Sequence, residues 1–336
     1  MAPPTHACPV LRELIKAAGG IAPQRDLPEF AAQRFTDWYA RQEPSSRTGG
    51  EPPPSRRVIL WPDTFTNNFH PDVAKAAVAV LTDAGFTIDV PPAHGAAGPL
   101  CCGLTWISTG QLGTAERVFG RTVSALTRRL QAGERVVVLE PSCAAVFRSD
   151  AAELLGTADA KLLAERTVTL AELLLESGWQ PPGTPVIGRR RRAVAQVHCH
   201  QHAIMGFGAD EKLLERCGVD VEVLDSGCCG LAGNFGFERG HYDVSAACAE
   251  RGLWPAVREA DPETVILADG FSCRTQIASD QKVSPSGSRS ASPGGCPPEP
   301  PDRASIWLSC SRRSRALRRS AKIPQGGEAV PRRPTR

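Results

Sequence analysis

Asp225-Ser226-Gly227-Cys228-Cys229-Gly230 is the stretch on which the reading of this chain turns. It follows a β-forming run, Val221-Glu222-Val223-Leu224, and leads into a glycine-rich turn, Leu231-Ala232-Gly233-Asn234-Phe235-Gly236. Adjacent cysteines pair poorly with each other, because a disulfide needs dihedrals that neighbouring residues reach only in a strained ring. A second Cys-Cys-Gly stands at Cys101-Cys102-Gly103. Two copies, each after an expected strand, point to metal ligation.

Working outward, the same order of elements occurs around both copies. Around the second, Val194-Ala195-Gln196-Val197 reads as a strand ending at His198-Cys199-His200-Gln201-His202. A helix is expected over about 210–216, a strand over 221–224, then the two thiols, a helix over about 242–257, and a strand over 265–268 that ends at Asp269-Gly270-Phe271-Ser272-Cys273. Around the first, Val58-Ile59-Leu60-Trp61 reads as a buried strand. Pro71 opens a helix with Val73, Ala77, Val80 and Leu81 on one face, and Gly85 stops it. Phe86 to Val90 is the next strand. A long amphipathic helix marked by Leu112, Ala115, Phe119, Val123, Leu126 and Leu130 follows the thiols, and Val136 to Leu139 runs into Glu140-Pro141-Ser142-Cys143. Forty residues separate Cys102 from Cys143, and 43 separate Cys229 from Cys273. Strands alternating with helices imply parallel α/β units. The expected fold is therefore α/β, with two duplicated units of parallel strands and flanking helices, at 57–180 and 181–277. Residues 150–178 read as helical, with Thr169-Leu170-Ala171-Glu172 as a capping box. Residues 1–56 read as a helical connector and linker, and the Ser-, Pro-, Gly- and Arg-rich residues 278–336 as a disordered basic tail.

Composition narrows the function. The 336 residues are 41% apolar and 22% charged, which suits a globular core, and no apolar run is long enough to span a bilayer. The N-terminus lacks a basic segment followed by an apolar one, so no signal peptide is expected. Twelve cysteines without a secretory signal favour metal or redox chemistry over a disulfide framework. The net charge of +3 averages a mildly acidic body and a tail with 12 Lys and Arg against four Asp and Glu. No nucleic-acid motif accompanies that tail, and no nucleic-acid partner is expected. No glycine-rich nucleotide fingerprint follows a strand, and there is no Walker A sequence. Glu140 stands alone at its strand end, so a two-carboxylate hydrolase has no support.

In an open parallel sheet, functional groups gather at the carboxyl ends of the strands. Cys199, Cys228, Cys229 and Cys273 all fall there and make a four-thiolate set, which suits an iron–sulfur cluster or a structural zinc. Zinc favours short Cys-x-x-Cys knuckles, and none is present, so iron–sulfur is preferred. Gly230, Gly233 and Gly236 would let backbone N–H groups approach sulfide. The first unit offers Cys101, Cys102 and Cys143, with Asp63 or Thr64 where the second has Cys199. Cys217 and Cys248 read as core residues on helix faces, and Cys8, Cys296 and Cys310 as incidental. His198, His200 and His202 suit either outer-sphere donors or packing roles. His241 reads as structural.

The two Cys-Cys-Gly stretches, each with a later cysteine, resemble the cysteine-rich CCG domain pair found in heterodisulfide reductase and in the iron–sulfur subunits of glycolate oxidase and anaerobic glycerol-3-phosphate dehydrogenase. Further stretches resemble the C-terminal part of FAD-linked D-lactate and D-2-hydroxyacid dehydrogenases. They are Pro62-Asp63-Thr64-Phe65-Thr66-Asn67, Glu140-Pro141-Ser142-Cys143, His198-Cys199-His200-Gln201, 228–236 and Gly270-Phe271-Ser272-Cys273-Arg274. The resemblance implies an iron–sulfur cluster of the 4Fe-4S type on Cys199, Cys228, Cys229 and Cys273, with Cys101, Cys102 and Cys143 as a weaker set. It implies FAD on a partner chain, a flavoprotein dehydrogenase subunit or domain as electron donor, and a quinone or soluble carrier as acceptor. A cytoplasmic location, or a peripheral one at the inner face of the membrane, is expected. The chain departs from heterodisulfide reductase in having single cysteines at 143 and 273 in place of Cys-x-x-Cys. Two alternatives stay open: a thiol–disulfide site beside a cluster, and a non-catalytic zinc-stabilised scaffold.

Overall fold

The computed structural model describes residues 9–42, 53–92, 94–95, 98–182 and 190–283. Its first sheet grows from an unbroken apolar run. Val58, Ile59 and Leu60 are fully buried, as a strand covered by helices on both faces requires. They form β1 (Arg57–Leu60), which is followed in the chain by β2 (Thr87–Asp89), a short antiparallel hairpin of β3 (His94–Gly95) and β4 (Gly98–Pro99), β5 (Arg135–Val137) and β6 (Thr167–Val168). The parallel order is β2-β1-β5-β6. The second sheet contains β7 (Arg191–Ala195), β8 (Val219–Val223) and β9 (Val265–Leu267), parallel in the order β8-β7-β9. In both sheets the first strand of the unit lies between the second and the third, so the two units share a strand order.

Helices make the crossovers. Pro71–Asp83 joins β1 to β2, Leu112–Gln131 precedes β5, and Gly208–Arg216 joins β7 to β8. One apolar core serves both sheets. Val58, Leu60, Val137 and Leu139 from the first share a cluster with Ala193, Ala195 and Leu267 from the second. A separate cluster under the other face of the first sheet includes Ile59, Trp61, Phe119, Val136 and Phe147. A third gathers Cys229, Leu231, Leu253, Trp254, Cys273 and Ile277.

The structure differs from the expected elements in four places. The helix expected over 242–257 is two, Tyr242–Glu250 and Leu253–Glu259, because the chain leaves helical geometry at Gly252 (φ −169°) and Pro255 has no N–H to bond back across the break. Residues 150–178 are three helices interrupted by β6, and the Thr169–Glu172 capping box opens the last of them. Within the expected helical connector, the described α-helices are only Pro9–Ala18 and Phe35–Tyr39. The helix that begins at Phe271 continues to Val283, six residues beyond the boundary expected at 277, and Asp280 is buried there against Arg258. The remainder of the tail, 284–336, lies outside the described residues, as do residues 43–52 of the linker. The connector is partly structural: Phe35 is fully buried in the shared core, and Ala22 N–H donates to the Phe237 carbonyl (2.7 Å). Among the described residues no helix is long and apolar enough to cross a membrane.

Candidate metal centre

Each thiol of the second set sits just past the carboxyl end of a parallel strand. Cys199 opens a short helix, Cys199–Ile204, after β7. Cys228 and Cys229 lie in the loop after β8. Cys273 is in the first turn of the helix that follows β9. These loops converge, since neighbouring parallel strands end side by side, and the four thiols form a continuous run. Cys199 lies beside Cys228, Cys228 beside Cys229, and Cys229 beside Cys273, each close enough to perturb its neighbour's ionisation. Cys199 and Cys228 face solvent, whereas Cys229 and Cys273 are buried. The Gly230 N–H points at Cys228 Sγ (3.4 Å). Gly230 has φ +88°, and a Cβ there would lie 2.2 Å from the Ser245 carbonyl oxygen, so the turn that presents the thiols requires glycine.

The first set is similar, except that Cys101 and Cys102 follow the antiparallel β3–β4 hairpin rather than β2 directly. Cys102 and Cys143 are buried with their sulfurs 2.9 Å apart, Cys101 is half-buried beside Cys102, and the Gly103 N–H points at Cys101 Sγ (3.4 Å). Gly103 has φ +77°, and a Cβ would meet the Phe119 ring at 2.3 Å. Here the short helix after the central strand is Thr64–Asn68, capped by Asp63. Asp63 therefore occupies the position of His198, which caps Cys199–Ile204, and Thr64 occupies that of Cys199. Asp63 Oδ1 accepts from the N–H groups of Phe65 and Thr66, while Oδ2 is buried without a hydrogen-bond partner.

The electrostatics fit a cation-binding donor set. Cys199, and then Cys229, pull the neighbouring Cys228 thiol far below its ordinary range, so the run concentrates negative charge there. Cys199 and Cys229 are pushed up, each chiefly by Cys228 and then by further thiol contact or burial. At Cys143 the hydrogen bond to Cys102 lowers the pKa, but burial with the nearby Asp63 and Glu140 carboxyls outweighs it and raises the thiol to about 11. Crowded thiols ionise together only when a positive centre replaces their protons. Burial, and then His200, push His198 down to about 4, leaving it neutral. Its Nδ1 accepts from the His200 N–H (3.2 Å). Ligand atoms of His198, Cys199 and His200 all lie within 4.8 Å of one another, and His200 Nδ1 is buried and unpartnered. His202 is exposed outside this group.

Cys217 is buried in the shared core and Cys248 is half-buried on a helix, as core roles require. His241 stacks on Phe235 at the surface. Cys8, Cys296 and Cys310 lie outside the described residues. Sequence reasoning missed the use made of Glu140. Its Oε1 accepts from Ser142 Oγ (2.8 Å) and its Oε2 from the Phe271 N–H (2.9 Å), so one carboxylate caps the helix carrying Cys143 and reaches the first N–H of the helix carrying Cys273. The signal available was a buried acid immediately before Pro141, a helix-opening position.

Residues 64–148 and again 208–278 match the family described as cysteine-rich domain (CCG), in agreement with the resemblance read from the motifs. The chain is 26% identical over 275 residues to a subunit of the anaerobic glycerol-3-phosphate dehydrogenase of Escherichia coli K12, covering 80% of this chain and 65% of that protein. It is 24% identical over 224 residues to D-2-hydroxyglutarate dehydrogenase of Pseudomonas putida, covering 66% of this chain and 21% of the relative. It is 26% identical over 193 residues to lactate utilization protein A of Anoxybacillus flavithermus, covering 54% and 76% respectively. The chain thus spans slightly less than two thirds of the glycerol-3-phosphate dehydrogenase subunit and about one fifth of the hydroxyglutarate enzyme.

Proposed function

We propose that this chain is an iron–sulfur electron-transfer component of a flavin-dependent 2-hydroxyacid oxidoreductase of the D-lactate or glycolate type. The observation that carries the reading is the unbroken run of four thiols from three strand ends, Cys199, Cys228, Cys229 and Cys273, in a chain that twice matches the cysteine-rich domain. These four would hold a cluster of the 4Fe-4S type, and Cys101, Cys102 and Cys143 a second, weaker centre completed by an oxygen donor. A bound cluster would supply one-electron storage between a flavin donor and an acceptor. The chain's own residues do the rest. Cys199 and Cys228 bring the centre to the surface, where a partner can approach, while Cys229, Cys273 and Leu231 shield its other side from water. The relatives named as a dehydrogenase and a dehydrogenase subunit support a dehydrogenase partner as donor; FAD on that flavoprotein and a quinone or soluble carrier as acceptor belong to the proposal alone. Domains at 57–180 and 181–277, and a cytoplasmic or peripheral inner-membrane location, belong to the same reading.

Anaerobic purification followed by iron, acid-labile sulfide and EPR analysis tests it. Brown protein is expected, with Cys199→Ser abolishing the signal of the second centre and Cys217→Ser leaving it intact. A second reading rests on the His198–Cys199–His200 group, a mixed nitrogen and sulfur donor set that zinc also accepts. Colourless protein with stoichiometric zinc and no sulfide would replace the first reading with that one.

A further inference from the structure

Arg25 is a fully buried cation, and among the described residues it forms no ion pair with a carboxylate. Only 1% of it is exposed, yet its hydrogen bonds all go to neutral acceptors. Nε donates to the Gly236 carbonyl (2.7 Å), Nη1 to Gln276 Oε1 (2.8 Å) and Ser279 Oγ (3.2 Å), and Nη2 to Ser245 Oγ (2.7 Å). The guanidinium also sits over the Tyr242 ring at 4.8 Å. Removing a charge from water without a counter-ion costs several kcal/mol, so a buried, unpaired guanidinium calls for a negative partner. Among the described residues, the acidic groups that interact with it electrostatically are the Tyr242 hydroxyl and the Cys229 thiol.

The partners of Arg25 place it. Gly236 ends the glycine-rich turn that follows Cys228 and Cys229. Gln276 lies one helical turn after Cys273. Ser245 is the residue whose carbonyl oxygen confines Gly230 and whose hydroxyl confines Gly236. One guanidinium therefore ties together the segments that carry three of the four thiols, and it reaches them from the N-terminal segment, which is held by the Ala22–Phe237 and Gly20–Arg239 backbone bonds.

We propose that Arg25 is the built-in counter-cation of the second thiolate centre: a positioning residue that fixes the Cys228–Cys229 turn against the Cys273 helix and holds a positive charge beside an anionic cluster. The inference rests on the iron–sulfur reading above. A fixed cation favours the reduced, more negative form, so it raises the midpoint potential of the centre. Second-sphere charge and hydrogen bonding are among the main means by which a protein sets cluster potential.

The test is an EPR-monitored redox titration of the full chain, purified anaerobically and compared at equal iron per chain. Arg25→Gln removes the charge and Arg25→Lys keeps it. Gln276→Glu places a carboxylate beside Nη1 and neutralises the charge while the guanidinium stays in place. Arg25→Gln and Gln276→Glu are expected to lower the midpoint potential, with Arg25→Lys close to wild type. Loss of iron from the first two with retention in Arg25→Lys supports the same role in binding. An unmoved potential in both charge-removing variants overturns the inference and leaves the iron–sulfur reading standing. Loss of iron from Arg25→Lys as well assigns Arg25 to packing alone and also overturns it. Wild-type protein without iron overturns the reading beneath it.

Discussion

Gly230→Ala tests whether the thiol-presenting turn is as constrained as the geometry requires. Two costs apply together. At φ +88° an alanine sits in the left-handed region, which costs roughly 1–2 kcal/mol. Its Cβ would also lie 2.2 Å from the Ser245 carbonyl oxygen and 2.8 Å from Cys248 Cβ. The first of these is backbone inside a helix and cannot swing aside, so relief requires the turn or the helix to shift, at about 1–3 kcal/mol for overpacking. The sum is roughly 2–5 kcal/mol, or on the order of 10 °C in melting temperature for a chain of this size. Gly233→Ala is the internal control: its φ is +66°, but nothing lies within 4 Å of the added Cβ, so only the backbone cost of about 1–2 kcal/mol applies. Thermal unfolding followed by circular dichroism, with iron content measured on the same samples, separates them. Gly230→Ala should melt several degrees below Gly233→Ala and hold less iron. Equal melting temperatures and equal iron would show that the turn is not held against the Tyr242–Glu250 helix, and the geometric account of the site would fail.

Asp63→Asn should flatten the pH dependence of stability. Burial, and then the neighbouring Glu140, raise the Asp63 carboxyl from 3.8 to about 6, so its contribution is fully present below pH about 4 and is lost as pH rises through about 6. Asparagine keeps an oxygen for the Phe65 and Thr66 N–H groups. Urea midpoints should therefore be nearly equal for variant and wild type at pH 4, with the variant gaining up to roughly 3 kcal/mol by pH 8; an unchanged difference across that range would refute this. Glu140→Gln places an amide NH2 where a carboxylate oxygen accepted, against either Ser142 or the Phe271 N–H, and should cost roughly 1–3 kcal/mol in denaturant unfolding. A neutral result would mean that this link between the two thiol-bearing helices carries no stability.

The repeated order of strands and thiols was legible in the sequence because it depends on local patterns: apolar runs for strands buried on both faces, 3.6-residue periodicity for Leu112–Gln131, and a glycine wherever the backbone turns left-handed beside a thiol. The convergence of Cys199, Cys228, Cys229 and Cys273 followed from one topological rule, that parallel strands deliver their carboxyl ends to the same edge. What the sequence hid depends on contacts far apart in the chain. Arg25 lies 211 residues from Gly236 and 251 from Gln276, and Glu140 lies 131 from Phe271. Neither separation leaves a local signature. β6 was missed because two residues, Thr167 and Val168, are too few to show a period; the break at Gly252 did leave a local signal, since Gly252 and Pro255 are both helix breakers and Pro255 has no N–H to donate back. The extension to Val283 was missed because that helix has almost no apolar stripe; its buried end is held by the Arg258–Asp280 pair.

The two thiol sets differ in ways that bear on their division of labour. The second has four thiols, two at the surface, with a cation fixed behind them. The first has three, two of them buried, with acids close by: Asp63 and Glu140 raise the Cys143 thiol, and Arg274, next to Cys273, acts in turn on Asp63. Glu140 contacts both thiol-bearing helices, and the Phe65 ring of the first unit stacks on Phe271 of the second with centroids 4.3 Å apart. The frames therefore meet through packed, hydrogen-bonded atoms. With both sets filled as proposed, this contact would be the route between them, and Cys199 and Cys228 would bring the second to solvent.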